Sequence, residues 1–358
     1  MCPIFSLYFC VLRTKDGFAK VVLAKRSAAA YNEEKQAERE RFVTNRRRGY
    51  LLLGLTALIF STTEVALKGV GDAFSPMQLT AERVLIGGLF LLPFALSQLR
   101  HAGMRLSGRD FRLFAAMGLL TALHLSLMQL AVVHADASAV ATIYSGNPVF
   151  AIFFAHFLLH EPLRRNHLLA LGFEVVGILF ILNPAQLEMS AAGFALTLSS
   201  SALYALYGTW SKRHVARYGS AVLTSFNLLF GGTELLAMLL LCRLPAVAAL
   251  CGQLGLSVFA NVSLLTGFTL RTAAVLLYVG VVVAGAGNLL MVQVARDTSA
   301  TESSFFYLVK PILSAIIAAA MLHETISPHR MLGIAFFTAA SLCVIVPLLR
   351  EVRRAGAR

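Results

Sequence analysis

Charge is what this chain has least of. Asp, Glu, Lys and Arg make up 14% of its 358 residues, against about 25% in a soluble domain. With 58% hydrophobic residues and a mean hydropathy of +0.73, there is too little charge to solvate a globular surface of this size. Ten-residue segments of alternating polarity, which build membrane barrels, are missing as well. There is no phosphate loop either. The glycines of Gly280 to Asn288 follow no strand and lead into no Gly-Lys-Ser/Thr, so they read as points of close helix packing, and the missing Walker motif argues against ATP use within this chain. The five cysteines (Cys2, Cys10, Cys242, Cys251, Cys343) show neither CxxC spacing nor a histidine partner. No metal or other cofactor is therefore expected. Cys242 and Cys251 flank one connection, as two thiols or, facing an oxidising space, as a disulfide. An integral membrane enzyme acting on lipid-linked substrates would want HxxxH or DxxxD at an interface. His134-Ala135-Asp136 is the nearest approach, and it is too sparse.

What the chain does have is long apolar runs. About 20 residues of helix cross a bilayer core, and only helices satisfy every backbone group within one such run. Ten spans are marked at roughly 50–69, 76–97, 111–132, 137–159, 167–183, 191–211, 221–242, 272–294, 299–321 and 330–349. The expected fold is an all-α polytopic membrane protein. Residues 1–48 are set aside as a charged cytoplasmic tail, disordered or an over-extended reading frame, and 350–358 as a basic cytoplasmic tail. If the N-terminus lies inside, Arg46 to Arg48, the inner loops and the C-terminal tail collect seventeen Lys and Arg, and the outer side only Arg243, Arg271 and Arg330. That bias predicts both termini in the cytoplasm and a cell (inner) membrane location. The net charge of +13 is thereby a topology signal, and no nucleic acid is expected.

A stretch recurs. Ala131–Leu169 and Val294–Leu332 each carry an acidic small-residue turn, an apolar run with one internal proline, and a closing His-Glu. Pro148 pairs with Pro311, His160 with His323 and Glu161 with Glu324, all 163 positions apart. Gly49 to Lys68 matches Gly193 to Lys212, and Gly87-Gly88 matches Gly231-Gly232, at 144. The difference of offsets locates an insertion in the semi-polar connection 243–271. Two five-helix units follow, 49–185 and 190–349. Five spans being odd, the two enter the membrane in opposite directions, the usual construction of alternating-access carriers.

These residues resemble the drug/metabolite transporter superfamily, in its EamA-like family of ten-span carriers. The likeness rests on Lys68 ending span one, Arg83 after Pro76 at the start of span two, the mid-run proline with the closing HEPL (His160–Leu163), and its repeat HET (His323–Thr325). The resemblance implies a basket of helices that exports or exchanges small organic solutes: amino acids, other metabolites or drugs. The expected partners are such a solute, the lipid bilayer, and a proton or counter-solute.

Charged groups within a membrane cost at least about 2.5–3.5 kcal/mol each, so each needs a reason. Lys310 precedes Pro311, which frees a carbonyl one turn back. With Glu302 and Phe306 it is spaced four and four, one face of a continuous helix. Either this is a ligand or coupling-ion site, or Lys310 pairs with Glu302 or Glu234. Asn147 holds the matching place before Pro148, with Tyr144 one turn earlier. Glu64 either pairs locally with Lys68 or faces the cavity. Arg83 either snorkels or grips a carboxylate; Glu82 and Gln78 share its helix. Tyr204, Tyr207 and Trp210 form an aromatic stripe that lines a pocket or merely packs. Glu174 and Glu234 are paired or cavity-facing. His124, Gln129 and His156 read as satisfied interhelical hydrogen-bonding groups; Asn288 and Gln293 fit either role. His160-Glu161 and His323-Glu324 are expected to fix turns and helix ends.

Overall fold

The computed structural model describes residues 45–63, 66, 73–134, 140, 143–182, 190–322 and 328–356. Among them every regular element is helical and none is a strand. We number the helices α1 (45–61), α2 (Pro76–His101), α3 (Gly108–His134), α4 (Asn147–Leu159), α5 (Arg165–Leu182), α6 (Ala191–Tyr218), α7 (Ser220–Leu241), α8 (Pro245–Gln253), α9 (Leu270–Asp297), α10 (Ala300–Ser303), α11 (Phe306–Leu322) and α12 (Pro328–Gly356). Helices α2, α3, α7 and α9 are each long and apolar enough to cross a bilayer. Leu89, Phe94, Leu119, Leu123, Phe153 and Phe157 turn outward and stay exposed. This is the surface of an all-α polytopic membrane protein, whose apolar belt meets lipid rather than water.

Local chemistry starts these helices where it should. Ser75 accepts from the Gln78 amide at 3.2 Å, with Pro76 in the first turn of α2, and Ser190 accepts from the Gly193 amide at 3.0 Å to open α6. Thr269 and Thr272 form a reciprocal capping box at the start of α9. Such caps satisfy amides that have no intrahelical partner.

Helix α2 lies against α7 and α9, α3 against α6 and α7, α4 against α6, and α5 against α12. Glycine sets the closest approaches. A Cβ on Gly88 would come within 2.9 Å of the Leu229 backbone, and one on Gly232 within 2.7 Å of Leu85. Gly87 meets Gly280 and Gly285, and Gly118 meets Gly231. The stretch Tyr278–Gly287 of α9 is wound as a π-helix, and its glycines take Ile86, Phe90 and Phe60 at close range.

Three sequence expectations change. Spans four and nine are not continuous helices. A turn at Ser145-Gly146 precedes α4, so Pro148 opens a helix instead of kinking one. In span nine, Ser303 and Ser304 bond back to Ala300 and Thr301, and the chain tightens to i→i+3 bonds before α11 begins at Phe306. Glu302 therefore shares no continuous helix with Phe306 and Lys310. Residues 45–48, assigned to the tail, are helical and begin α1. The connection 243–271 is ordered: Arg243 donates to the Val262 carbonyl at 3.0 and 2.7 Å, and Gln78 of α2 donates to the Thr266 carbonyl at 3.0 Å.

Candidate functional site

Two clusters of polar side chains lie along the bundle. The first is central. Tyr204 is halfway along α6; Tyr144 precedes α4 and Tyr307 lies in the first turn of α11. With Tyr207 and His124 they are all at most 8% exposed. Ring centroids stand 5.8 Å apart for Tyr144 and Tyr307, 6.0 Å for Tyr144 and Tyr204, 6.2 Å for Tyr204 and Tyr307, and 4.9 Å for His124 and Tyr204. Most of these pairs are edge-on or tilted, the arrangement ring quadrupoles favour. The Tyr144 hydroxyl is 3.4 Å from His124 Nδ1, and that of Tyr204 donates to Met291 Sδ at 3.0 Å. The Tyr307 hydroxyl is within hydrogen-bond reach of both Tyr144 and Tyr204. Arg83, half-buried on α2, is close enough to act electrostatically on Tyr144 and His124. Aromatic faces, phenol hydroxyls and a guanidinium fork meet here in a water-poor setting, where polar contacts are strong.

Asn147 flanks this cluster, its amide donating to the Ser201 carbonyl at 2.8 Å. Lys310 is half-buried, and its carbonyl accepts from Ser61 at 3.2 Å. Tyr207 packs on Tyr204 at 6.0 Å, whereas Trp210 turns away to His214. Gln129 donates to Thr80 at 3.0 Å, and Asn288 lies 3.5 Å from the Tyr204 hydroxyl. Glu64, Lys68, His323 and Glu324 lie outside the described residues.

The second cluster sits at the end of the bundle that carries the arginines. A cavity of about 170 Å³ is lined there by Arg46, Glu161, Arg164, His167, Asp297 and Glu302, among others. Arg46 pairs with buried Glu302 at 2.5 Å, a partner other than the Lys310 considered from sequence. Arg48 and Arg296 reach Asp297 at 3.3 and 2.9 Å. Lys212 caps α9 by donating to the carbonyls of Ala295, Arg296 and Thr298, cations being favoured at a helix C-terminus. His160 ends α4 in a left-handed conformation with φ of 56°, and the Glu161 amide closes back on Ala155 at 3.1 Å. The Glu161 carboxylate accepts from the amides of Ala300 at 2.9 Å and Thr301 at 3.2 Å. A turn of the first half thus caps a helix of the second.

Sequence reading brought Tyr144, Asn147, Arg83, Tyr204 and Tyr207 forward, and they gather around one point; Glu302 belongs to the second cluster. It passed over Tyr307 and read His124 only as an interhelical hydrogen-bonding group. Tyr307 carried a signal, since it stands 163 positions after Tyr144. His124 carried none, because only tertiary packing brings α3 to α6.

With the geometry in view, comparison with known proteins is informative. Residues 47–183 and 191–346 each match the model of the EamA-like transporter family. A protein of Clostridium kluyveri named as an uncharacterized transporter is 29% identical over 308 residues, covering 83% of this chain and 92% of that protein. An uncharacterized transporter of Archaeoglobus fulgidus is 20% identical over 286 residues, covering 79% and 94%. The uncharacterized inner membrane transporter YicL of Salmonella typhimurium is 26% identical over 202 residues, covering 53% and 66%. One solved crystal structure superposes with a TM-score of 0.64 at 18% identity, over 85% of this chain and 99% of that one, a likeness of fold.

Proposed function

The chain belongs to the EamA-like transporter family, and from that premise we propose that this membrane transporter is a secondary-active carrier that exports or exchanges small organic solutes by alternating access. In this reading ten spans form two inverted five-helix repeats in the cell (inner) membrane, with both termini in the cytoplasm. The reciprocal glycine contacts support the repeat. Leu85 and Leu229 are 144 positions apart, as are Gly88 and Gly232, and each glycine receives the other repeat's leucine. Helix pairs α2 with α7 and α5 with α12 join equivalent elements. Self-complementary contacts of this kind are what a two-fold relation produces.

One observation carries the functional reading: Tyr144 and Tyr307, equivalent in the two repeats, meet ring to ring at the centre, 5.8 Å apart. A site at the repeat interface is where such carriers bind their cargo. Tyr144, Tyr204, Tyr207 and Arg83 then form the chamber, with Asn147 and Lys310 at its edge. Arg83 suits a carboxylate and the rings suit an organic body, which favours amino acids and related metabolites. The end holding Arg46, Glu302 and Glu161 serves as the cytoplasmic gate in this reading, which the ties between the two halves there support. Glu64, in span one, is a further coupling candidate.

The test is flux of a radiolabelled amino-acid mixture into proteoliposomes. Wild-type protein is expected to exchange at least one component. Arg83→Ala and Lys310→Ala should lower that rate by tenfold or more, since a lost charged contact costs about 1.5–3 kcal/mol. Folded protein that moves none of a broad solute panel would sink the carrier reading.

A further inference from the structure

Glu174 is a group to which the carrier reading assigns no work. It lies nine residues into the eighteen of α5, about 13 Å along a helix about 27 Å long. It is 0% exposed, and neither carboxyl oxygen has a hydrogen-bond partner among the described residues. Helix α5 packs on α12, whose stretch 331–349 contains no acid, lysine, arginine or histidine. Its polar groups there include Ser341, bonded to its own helix at the Phe337 carbonyl, and half-buried Cys343. The surroundings are Ala170 one turn before and Gly177, against Phe337, one turn after. An ionised carboxylate stranded there would cost far more than a carboxylic acid, because nothing replaces its water.

Glu174 shares a helix face with a wall of the cavity in the second cluster. His167, Ala170, Glu174 and Gly177 form one buried stripe at helical spacing. His167 begins the stripe at the wall of the 170 Å³ cavity, and its Nδ1 is buried without a hydrogen-bond partner among the described residues. Glu174 lies two turns deeper, about 10 Å along the axis. The charged groups that share this end with His167 are Arg46, Glu161, Arg164, Asp297 and Glu302. Phe337 occupies the place 163 positions after Glu174, so the acid belongs to one half alone. Intramembrane acids that face the protein interior mark proton relays.

We propose that Glu174 is a proton-binding site of the transport cycle, loaded from the cavity beside His167 when the gate opens. The carboxylate takes up one proton to become a carboxylic acid and returns it when water reaches it from the other side. This rests on the carrier reading, and two independent measurements separate them. First, the purified full-length protein is treated with dicyclohexylcarbodiimide, which modifies protonated carboxyls in apolar sites, and is mapped by mass spectrometry across a pH series. An adduct at Glu174 that declines with rising pH is expected, with none at that position in folded Glu174→Gln. Second, proteoliposomes are given a radiolabelled amino-acid mixture with and without a pH gradient. The gradient should accelerate wild-type flux, and Glu174→Gln should exchange solute at one rate in both conditions. An unmodified Glu174 in folded protein, or a variant that keeps the full gradient response, overturns this site and leaves the carrier standing. A pH-dependent adduct in protein that moves no solute shows proton binding at Glu174 but overturns the carrier, and with it the site's part in a transport cycle.

Discussion

Asp110 shows how much one side chain can hold. Its carboxylate accepts from the Ser107 amide at 2.7 Å and hydroxyl at 2.8 Å, closing the first turn of α3. It also accepts from the Tyr218 hydroxyl at 2.6 Å and from Arg217 at 3.1 Å, at the far end of α6. Capping and cross-helix bonding therefore fall on one group, itself 4% exposed. Asp110→Ala leaves two hydroxyl donors and a capped amide without their acceptor and is expected to cost roughly 2–3 kcal/mol. Asp110→Asn keeps one acceptor oxygen and should cost about half of that. Thermal unfolding in detergent ranks the two, and equal stability of Asp110→Ala and wild type would refute the assignment. The local half of this site was readable, since Ser107-x-x-Asp110 ahead of an apolar run is a capping box. The half that reaches α6 spans 107 positions and leaves no mark in composition or period. The same division holds in the aromatic cluster: Tyr307 follows from the repeat, and His124 only from packing.

At the scale of the element, glycine decides how closely helices pass. Gly118 faces the Gly231 amide, where a Cβ would arrive at 2.7 Å. Gly172 on α5 has nothing within 4 Å of the same atom. Alanine is favoured over glycine in a helix by about 1 kcal/mol, while overpacking costs about 1–3 kcal/mol. The two substitutions should therefore differ in sign or nearly so: Gly172→Ala neutral to slightly stabilising, Gly118→Ala destabilising. Matched unfolding curves of the two variants decide it, and a stabilised Gly118→Ala would mean that α3 and α7 do not pass this closely. Gly87-Gly88 and Gly231-Gly232 stood out in the sequence because they recur at one offset. The breaks before α4 and α11 did not, because an apolar run looks the same whether its proline kinks a helix or starts one. Serines bonding to their own backbone settle that locally in span nine.

For the whole molecule, the Arg-rich end is where the two halves are tied. Arg46 of α1 reaches Glu302 and Glu161 of the first half caps α10 of the second, while within the second half Lys212 holds the end of α9. Hydropathy sets these partners apart, with Arg46 in a tail, Glu161 in a loop and Glu302 within span nine. Sequence could therefore anticipate the apolar spans and the charge bias, but not that these scattered charges converge on one cavity. If this end is the cytoplasmic gate, it has to part in every cycle, and caps of about 0.5–2 kcal/mol each with a buried ion pair whose attraction is largely offset by desolvation are weak enough to allow that. A covalent tie should not be. In a cysteine-free background, Arg46→Cys with Glu302→Cys, joined by a short bifunctional methanethiosulfonate, is expected to abolish solute exchange in proteoliposomes. Cleavage of the linker by reductant should restore it, and either single cysteine treated alike should keep its rate. Full exchange by protein shown by mass spectrometry to be completely cross-linked would mean that α1 and α10 stay together throughout transport, and that access to the central tyrosines opens elsewhere.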